Sequence, residues 1–127
     1  MQVIGHGIDL ADTHRVAALI DRHGDHFLAR VFSEAERQYC EANVKRRMEH
    51  YAARFAAKEA ALKAIGTGWT NGIAWTDVEV IRQPSGQPEL RVHGKVAEIA
   101  AKLGVRAWTI SISHTETTAM ASVIATA

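Results

Sequence analysis

Disulfides are ruled out within this chain of 127 residues, because Cys40 is its only cysteine. A lone thiol fits a reducing compartment, and a cytoplasmic location is expected. No stretch approaches the roughly 20 apolar residues that a membrane-spanning helix needs. The N-terminus also lacks the basic start and long apolar run of a signal peptide, so no membrane association is expected. Charge of one sign is missing too: 15 Lys and Arg stand against 14 Asp and Glu, a net charge of +1. A general nucleic-acid binder would be far more basic, and no nucleic-acid partner is expected. There is no Gly-x-x-x-x-Gly-Lys-Ser/Thr loop, no Gly-x-Ser-x-Gly elbow, and no zinc-like spacing among the histidines. Aromatics are few, and Trp69, Trp75 and Trp108 read as core or interface rather than base-stacking platforms. Without repeats, low-complexity tracts or a linker, residues 1–127 are expected to form a single domain.

The sequence that remains is strongly patterned. Residues 2–9 alternate as a strand with glycines on one face, where another backbone or a ligand can approach closely. Asp12 or Thr13 can cap a helix that carries Val16, Leu19 and Ile20 inward and stops near Gly24. Phe27–Phe32 reads as a further apolar helical turn or two. Ser33-Glu-Ala-Glu36 matches a capping box and opens a helix to about residue 42. A long helix is expected from about Val44 to Ile65, stopped by Gly66-Thr-Gly68. Val78–Arg82 and Glu89–His93 are short strands around Gln83-Pro-Ser-Gly-Gln-Pro88, a hairpin signal. Lys95–Leu103 reads as a helix, and Ala107–Ser113 and Thr118–Ala125 as two more strands. The expected class is α+β: one long helix packed on a small antiparallel sheet.

Glu59 is the anomaly in this pattern. At about 3.6 residues per turn, Met48, Tyr51, Phe55 and Leu62 fall on one apolar stripe of the long helix, and Glu59 falls inside it. An unpaired buried carboxylate costs several kcal/mol, so a positive partner is required. Lys63, at i+4, explains a surface pair but not a carboxylate among Tyr51, Phe55 and Leu62. Asp9 stands at a strand end among glycines. If folding brings it to Glu59, the two carboxylates want a shared proton or a divalent cation. Lys58, Lys63 and the run Lys45-Arg46-Arg47 lie on or beside the same helix. Such cations favour phosphate, and hence Mg²⁺ completed by substrate phosphates. Gly66-Thr-Gly68 can be a simple helix cap, and a helix C-terminus is not by itself an anion site.

Four blocks in order carry a resemblance over essentially the whole chain. They are Gly5-His-Gly-Ile-Asp9 with Arg15 after it, Phe32-Ser-Glu-Ala-Glu36, Arg54-Phe-Ala-Ala-Lys-Glu-Ala-Ala-Leu-Lys-Ala64 leading into Gly66-Thr-Gly68, and Ser111-Ile-Ser-His114. Together they resemble the small phosphopantetheinyl transferases of the holo-acyl-carrier-protein synthase family. The resemblance implies transfer of 4′-phosphopantetheine from coenzyme A to a serine of an apo-acyl carrier protein. It implies the 4′-phosphopantetheinyl transferase fold and a homotrimer with active sites at subunit boundaries. Asp9 and Glu59 would bind Mg²⁺ with the pyrophosphate, and Lys63 would contact phosphate and steady the leaving group. Lys45 or Arg46, with His114, would help hold the adenosine end and its 3′-phosphate; Lys58 could serve there or beside Lys63, and Gly66 is also placed on the coenzyme A side. The general base is left among Glu36, Glu59 and a water, with a water preferred. Arg15, Leu19 and Arg22 share a helix face suited to an acidic carrier helix, although Asp21 and Asp25 dilute its charge. The alternative is a coenzyme A or nucleotide-binding module without turnover, which would have no need of the acidic pair.

Overall fold

In the computed structural model, which describes residues 1–70 and 72–127, helix and sheet are built around one nearly invisible surface of small side chains. The chain runs β1 (Val3–Asp12), α1 (Thr13–Val31), α2 (Glu34–Glu41), α3 (Arg47–Ile65), β2 (Val78–Arg82), β3 (Pro88–Val92), α4 (Gly94–Leu103), β4 (Ala107–His114) and β5 (Thr118–Thr126). A short 3₁₀ turn, Trp75–Asp77, leads into β2. β1, β5 and β4 form an antiparallel sheet in that order, while β2 and β3 form a separate hairpin. Among the described residues, no helix is long and apolar enough to cross a membrane.

The long helix α3 packs on the three-stranded sheet through alanine. Ala53, Ala56, Ala57, Ala60, Ala61 and Ala64 are all buried, and so are Ala119, Ala121, Val123 and Ala125 of β5. The glycines of β1 complete this close fit. A Cβ on Gly5 would overlap the Ala64 carbonyl, and one on Gly7 would overlap the Ala60 carbonyl. Only glycine lets a strand lie that close to a helix backbone.

The large apolar stripe of α3 that carries Tyr51 and Phe55 packs elsewhere. That stripe meets the smaller elements instead. Tyr51 packs on Phe32 with ring centroids 4.8 Å apart, and Phe55 stacks on Trp75 at 4.9 Å. The small residues take the sheet because backbone approach, not side-chain size, limits that contact.

Several boundaries also shift. β1 runs on past Asp9 to Asp12, held by pairing through Asp12 and Thr118. Asp12 is the N-cap of α1, accepting from the His14 and Arg15 N–H groups. Helical geometry breaks at Gly24 (φ 58°) and resumes at once, so α1 continues to Val31 through a kink. The capping box at Ser33 and Glu36 is present as expected. α3 begins at Arg47 rather than near Val44, because the Asn43 side-chain oxygen accepts the Arg46 N–H at 3.2 Å and favours a turn. That turn leaves Lys45 and Arg46 exposed on a loop.

Candidate active site

Asp9 and Glu59 line one cavity of about 210 Å³, walled also by Leu10, Ala11, Asp12, Arg15, Val16, Leu19 and Phe55. The strand end that carries Asp9, the middle of α3 and the first turns of α1 therefore converge there. Glu59 is half-buried at this seam rather than enclosed in the core, which resolves much of the cost its position implied. Among the described residues it has no ion-pair partner. Lys63, expected as its i+4 partner, turns instead to β1: its ammonium donates to Asp9 Oδ1 at 2.9 Å and to the Ile8 carbonyl at 3.0 Å. Lys63 and Asp9 share a second, more open hollow of about 330 Å³ with Ile8, Leu10 and Met120.

These donors suit a hard divalent ion. Among the described residues no group of three or more His, Cys, Asp or Glu side chains is arranged to hold a metal. A two-carboxylate set is the kind used by Mg²⁺, which keeps several waters and takes substrate phosphate oxygens for the rest. Lys63, half-exposed at the rim, adds a cation beside Asp9.

A second cleft, about 520 Å³, opens at the other end of α3. Thr13, Val44, Lys45, Arg46, Met48, Glu49, His114, Thr115 and Glu116 line it. The loop before α3 and the end of β4 thus bring together the three side chains expected at the adenosine end: Lys45, Arg46 and His114. Glu49 was not foreseen there. Its position one turn from Arg46 looks like an ordinary acidic residue at a helix N-terminus, and nothing in the local pattern distinguishes it. Behind His114 stands His50, edge-on at 5.8 Å between ring centroids. Burial holds the His50 imidazolium below its ordinary pKa, and neighbouring Arg54, His114 and Arg82 push it the same way.

Three expected roles are corrected. Lys58 is enclosed in the core and lines neither of the two clefts. Its side chain and that of Glu36 are both fully buried and paired at 2.9 Å, and Lys58 also donates to the carbonyls of Val78 and Trp75. On a helix, Lys58 and Glu59 point about 100° apart, so adjacent residues reach opposite environments. Glu36 is thereby removed as a general base. One oxygen accepts the Ser33 N–H and the other the Val80 N–H, each at 2.9 Å. Gly66 is the left-handed cap of α3 (φ 75°), and its N–H is directed back to the helix carbonyls rather than offered to a ligand.

On α1, Arg15 and Leu19 line the Asp9–Glu59 cavity, while Arg22, two turns beyond Arg15, lies outside its lining. Asp25, expected to dilute the charge of Arg15 and Arg22, lies 3.6 Å from Arg37 instead.

The sheet, its central helix and these two clefts define a class. The chain belongs to the 4′-phosphopantetheinyl transferase superfamily, whose pattern matches residues 5–120. More particularly, it is similar to holo-[acyl-carrier-protein] synthases. That of Koribacter versatilis (strain Ellin345) is 50% identical over 122 residues, covering 96% of this chain and 97% of the relative. The crystal structure of the Neisseria meningitidis holo-[acyl-carrier-protein] synthase superposes with a TM-score of 0.89 at 27% identity, covering 99% of this chain and 100% of that one. The Helicobacter pylori enzyme, solved in complex with coenzyme A, gives 0.83 at 26% identity over 95% of this chain and 99% of that one.

Proposed function

We propose that this chain transfers 4′-phosphopantetheine from coenzyme A to a serine hydroxyl of an apo-acyl carrier protein, with Mg²⁺ required. The serine oxygen forms a bond to the pantetheine-bearing phosphorus, the pyrophosphate P–O bond breaks, and adenosine 3′,5′-bisphosphate leaves as the serine proton is lost. The observation that carries this is one cavity holding both the acidic pair and the start of a basic helix face. A carrier docked on Arg15, Leu19 and Arg22 would present its serine beside Asp9 and Glu59.

Asp9 and Glu59 would hold the ion and orient the pyrophosphate. When bound, the ion neutralises the phosphate oxygens and stabilises charge as the leaving group departs. Lys63 stands beside Asp9 to add positive charge at the same oxygens. Lys45, Arg46 and His114 would grip the 3′-phosphate in the second cleft. Catalysis would then rest on positioning and charge neutralisation rather than on a covalent intermediate. Cys40 offers no such nucleophile: it is fully buried, and burial pushes its thiol up to about 12. A water is retained as the general base, since Glu36 is locked in the core. The reaction is placed in the cytoplasm, the reducing compartment that a single free thiol suits.

The assembly is taken to be a homotrimer with the site completed by a neighbour. The sheet face turned away from α3 supports this, since Ile8, Leu10 and Met120 stand exposed there beside Lys63. Sedimentation of the purified chain at three times the monomer mass checks the assembly, and a fully active monomer would refute it.

The activity is tested by incubating the protein with coenzyme A, Mg²⁺ and apo-acyl carrier protein, then weighing the intact carrier. An added phosphopantetheine is expected. No added mass on any of several carriers would overturn the assignment. The docking face gives a separate prediction: Arg15→Ala with Arg22→Ala should raise the carrier KM several-fold and flatten its salt dependence, leaving the KM for coenzyme A unchanged. An unchanged carrier KM would move the docking face elsewhere.

A further inference from the structure

Glu49 is, with Glu116, one of two carboxylates in the wall of a cleft that also carries Lys45, Arg46 and His114, and repulsion alone would argue against a phosphate there. Its contacts give it a purpose. Oε1 accepts the Nδ1–H of His114 at 2.8 Å, and the Arg46 guanidinium lies 3.9 Å from the same oxygen. An ionised carboxylate can only accept, so the proton of this bond belongs to His114 Nδ1. Nε2 is then the ring's free nitrogen among the described residues, in a side chain that lines the cleft. Both partners are well shielded, with side chains 11% and 23% exposed. The bond also ties two distant elements, because Glu49 sits on the first turn of α3 and His114 is the last residue of β4. His50, packed edge-on against His114, supports the ring from behind.

Resting on the proposed placement of the 3′-phosphate, we infer that Glu49 is a positioning residue for coenzyme A. It holds the His114 ring by Nδ1 so that Nε2–H is directed at the phosphate. With Nδ1–H engaged by Glu49, the ring is turned so that Nε2 is the nitrogen offered to the cleft. The carboxylate is engaged by the His114 Nδ1–H and faced by the Arg46 guanidinium, which offset its charge at the cleft wall. Its effect on phosphate is therefore attractive through the residues it holds rather than repulsive through space.

Steady-state kinetics with coenzyme A and with dephospho-coenzyme A, which lacks the 3′-phosphate, provide the test. Glu49→Gln should raise the KM for coenzyme A about ten-fold, the size of one charge-assisted hydrogen bond, with kcat unchanged within about two-fold. The KM for dephospho-coenzyme A should not move. In a His114→Ala background, Glu49→Gln should have no further effect, because the interaction it supports is already gone. Glu49→Asp, which keeps the charge but shortens the reach, should fall between wild type and Gln. An unchanged or lowered KM in Glu49→Gln overturns the inference, as does an equal loss for both substrates or a loss that persists without His114. If the wild type itself does not distinguish the two substrates, the phosphate cleft is misassigned and the underlying reading fails with it. If it does distinguish them and Glu49 has no effect, only the role of Glu49 is wrong.

Discussion

Glu59→Gln and Asp9→Asn should each lower kcat/KM by at least about a hundred-fold while leaving the protein folded. That is the scale on which removing one preorganised charge from a phosphoryl-type transition state is felt. The accompanying stability is the more discriminating part. Glu59 is half-buried without an ion-pair partner among the described residues, and it shares its cavity with a second carboxylate. Removing its charge breaks no visible contact and relieves repulsion, so Glu59→Gln should unfold at an equal or higher denaturant concentration than wild type. Asp9→Asn loses the ion pair to Lys63, which is partly exposed and worth only about 0–1 kcal/mol. Mg²⁺ and coenzyme A added together are expected to raise the melting temperature of the wild type and of neither variant. Near-normal Mg²⁺-dependent turnover in either variant would remove the acidic pair from the metal site.

Lys58→Met should have the opposite profile: a severe loss of stability and little specific loss of chemistry per folded molecule. Lys58 is fully buried, and burial pulls its ammonium below the ordinary lysine pKa while Glu36 beside it resists that shift. Breaking such a pair leaves a buried charge uncompensated, at a cost of about 3–5 kcal/mol. The Val78 and Trp75 carbonyls lose their donor as well, loosening β2 and its 3₁₀ lead-in from α3. Adding Glu36→Leu should restore only part of the loss. The two oxygens of Glu36 also receive the Ser33 and Val80 N–H groups, which the double variant leaves unsatisfied. Denaturant midpoints for the two variants, with kcat measured below each midpoint, check this. A stable Lys58→Met with a raised KM for coenzyme A would return Lys58 to the phosphate site.

Lys58 and Glu59 show how far a sequence can be followed. Their contrast is invisible in a motif, where both stand as charged residues in one block. The wheel singled out Glu59 as a carboxylate on an apolar stripe, and the structure sets it half-buried beside Asp9. The wheel itself could not show that α3 is buried on nearly every side, because alanine carries almost no pattern and yet forms the whole helix–sheet contact. With no free face on α3, a lysine there must either reach a cavity or find a partner in the core. Glu36, distant in the chain, is that partner. Glu49 was missed for a related reason, since its function depends on a strand end that arrives beside it only after folding.

Local chemistry was decided by the sequence alone: a cap at Asp12 or Thr13, the capping box at Ser33, the stop at Gly66 and the α+β order. Each depends on neighbours within a turn or two, where dihedral preference and hydrogen bonding are fixed by residue type. Tertiary structure decided which charges face a cavity and which face one another. It brought Asp9 into the cavity of Glu59, turned Lys63 from its helical neighbour to Asp9, withdrew Lys58 into the core and joined Glu49 to His114. Those choices depend on long-range packing, where the close fit of glycine against alanine sets the position of β1 on α3 and therefore of every charge the two elements carry.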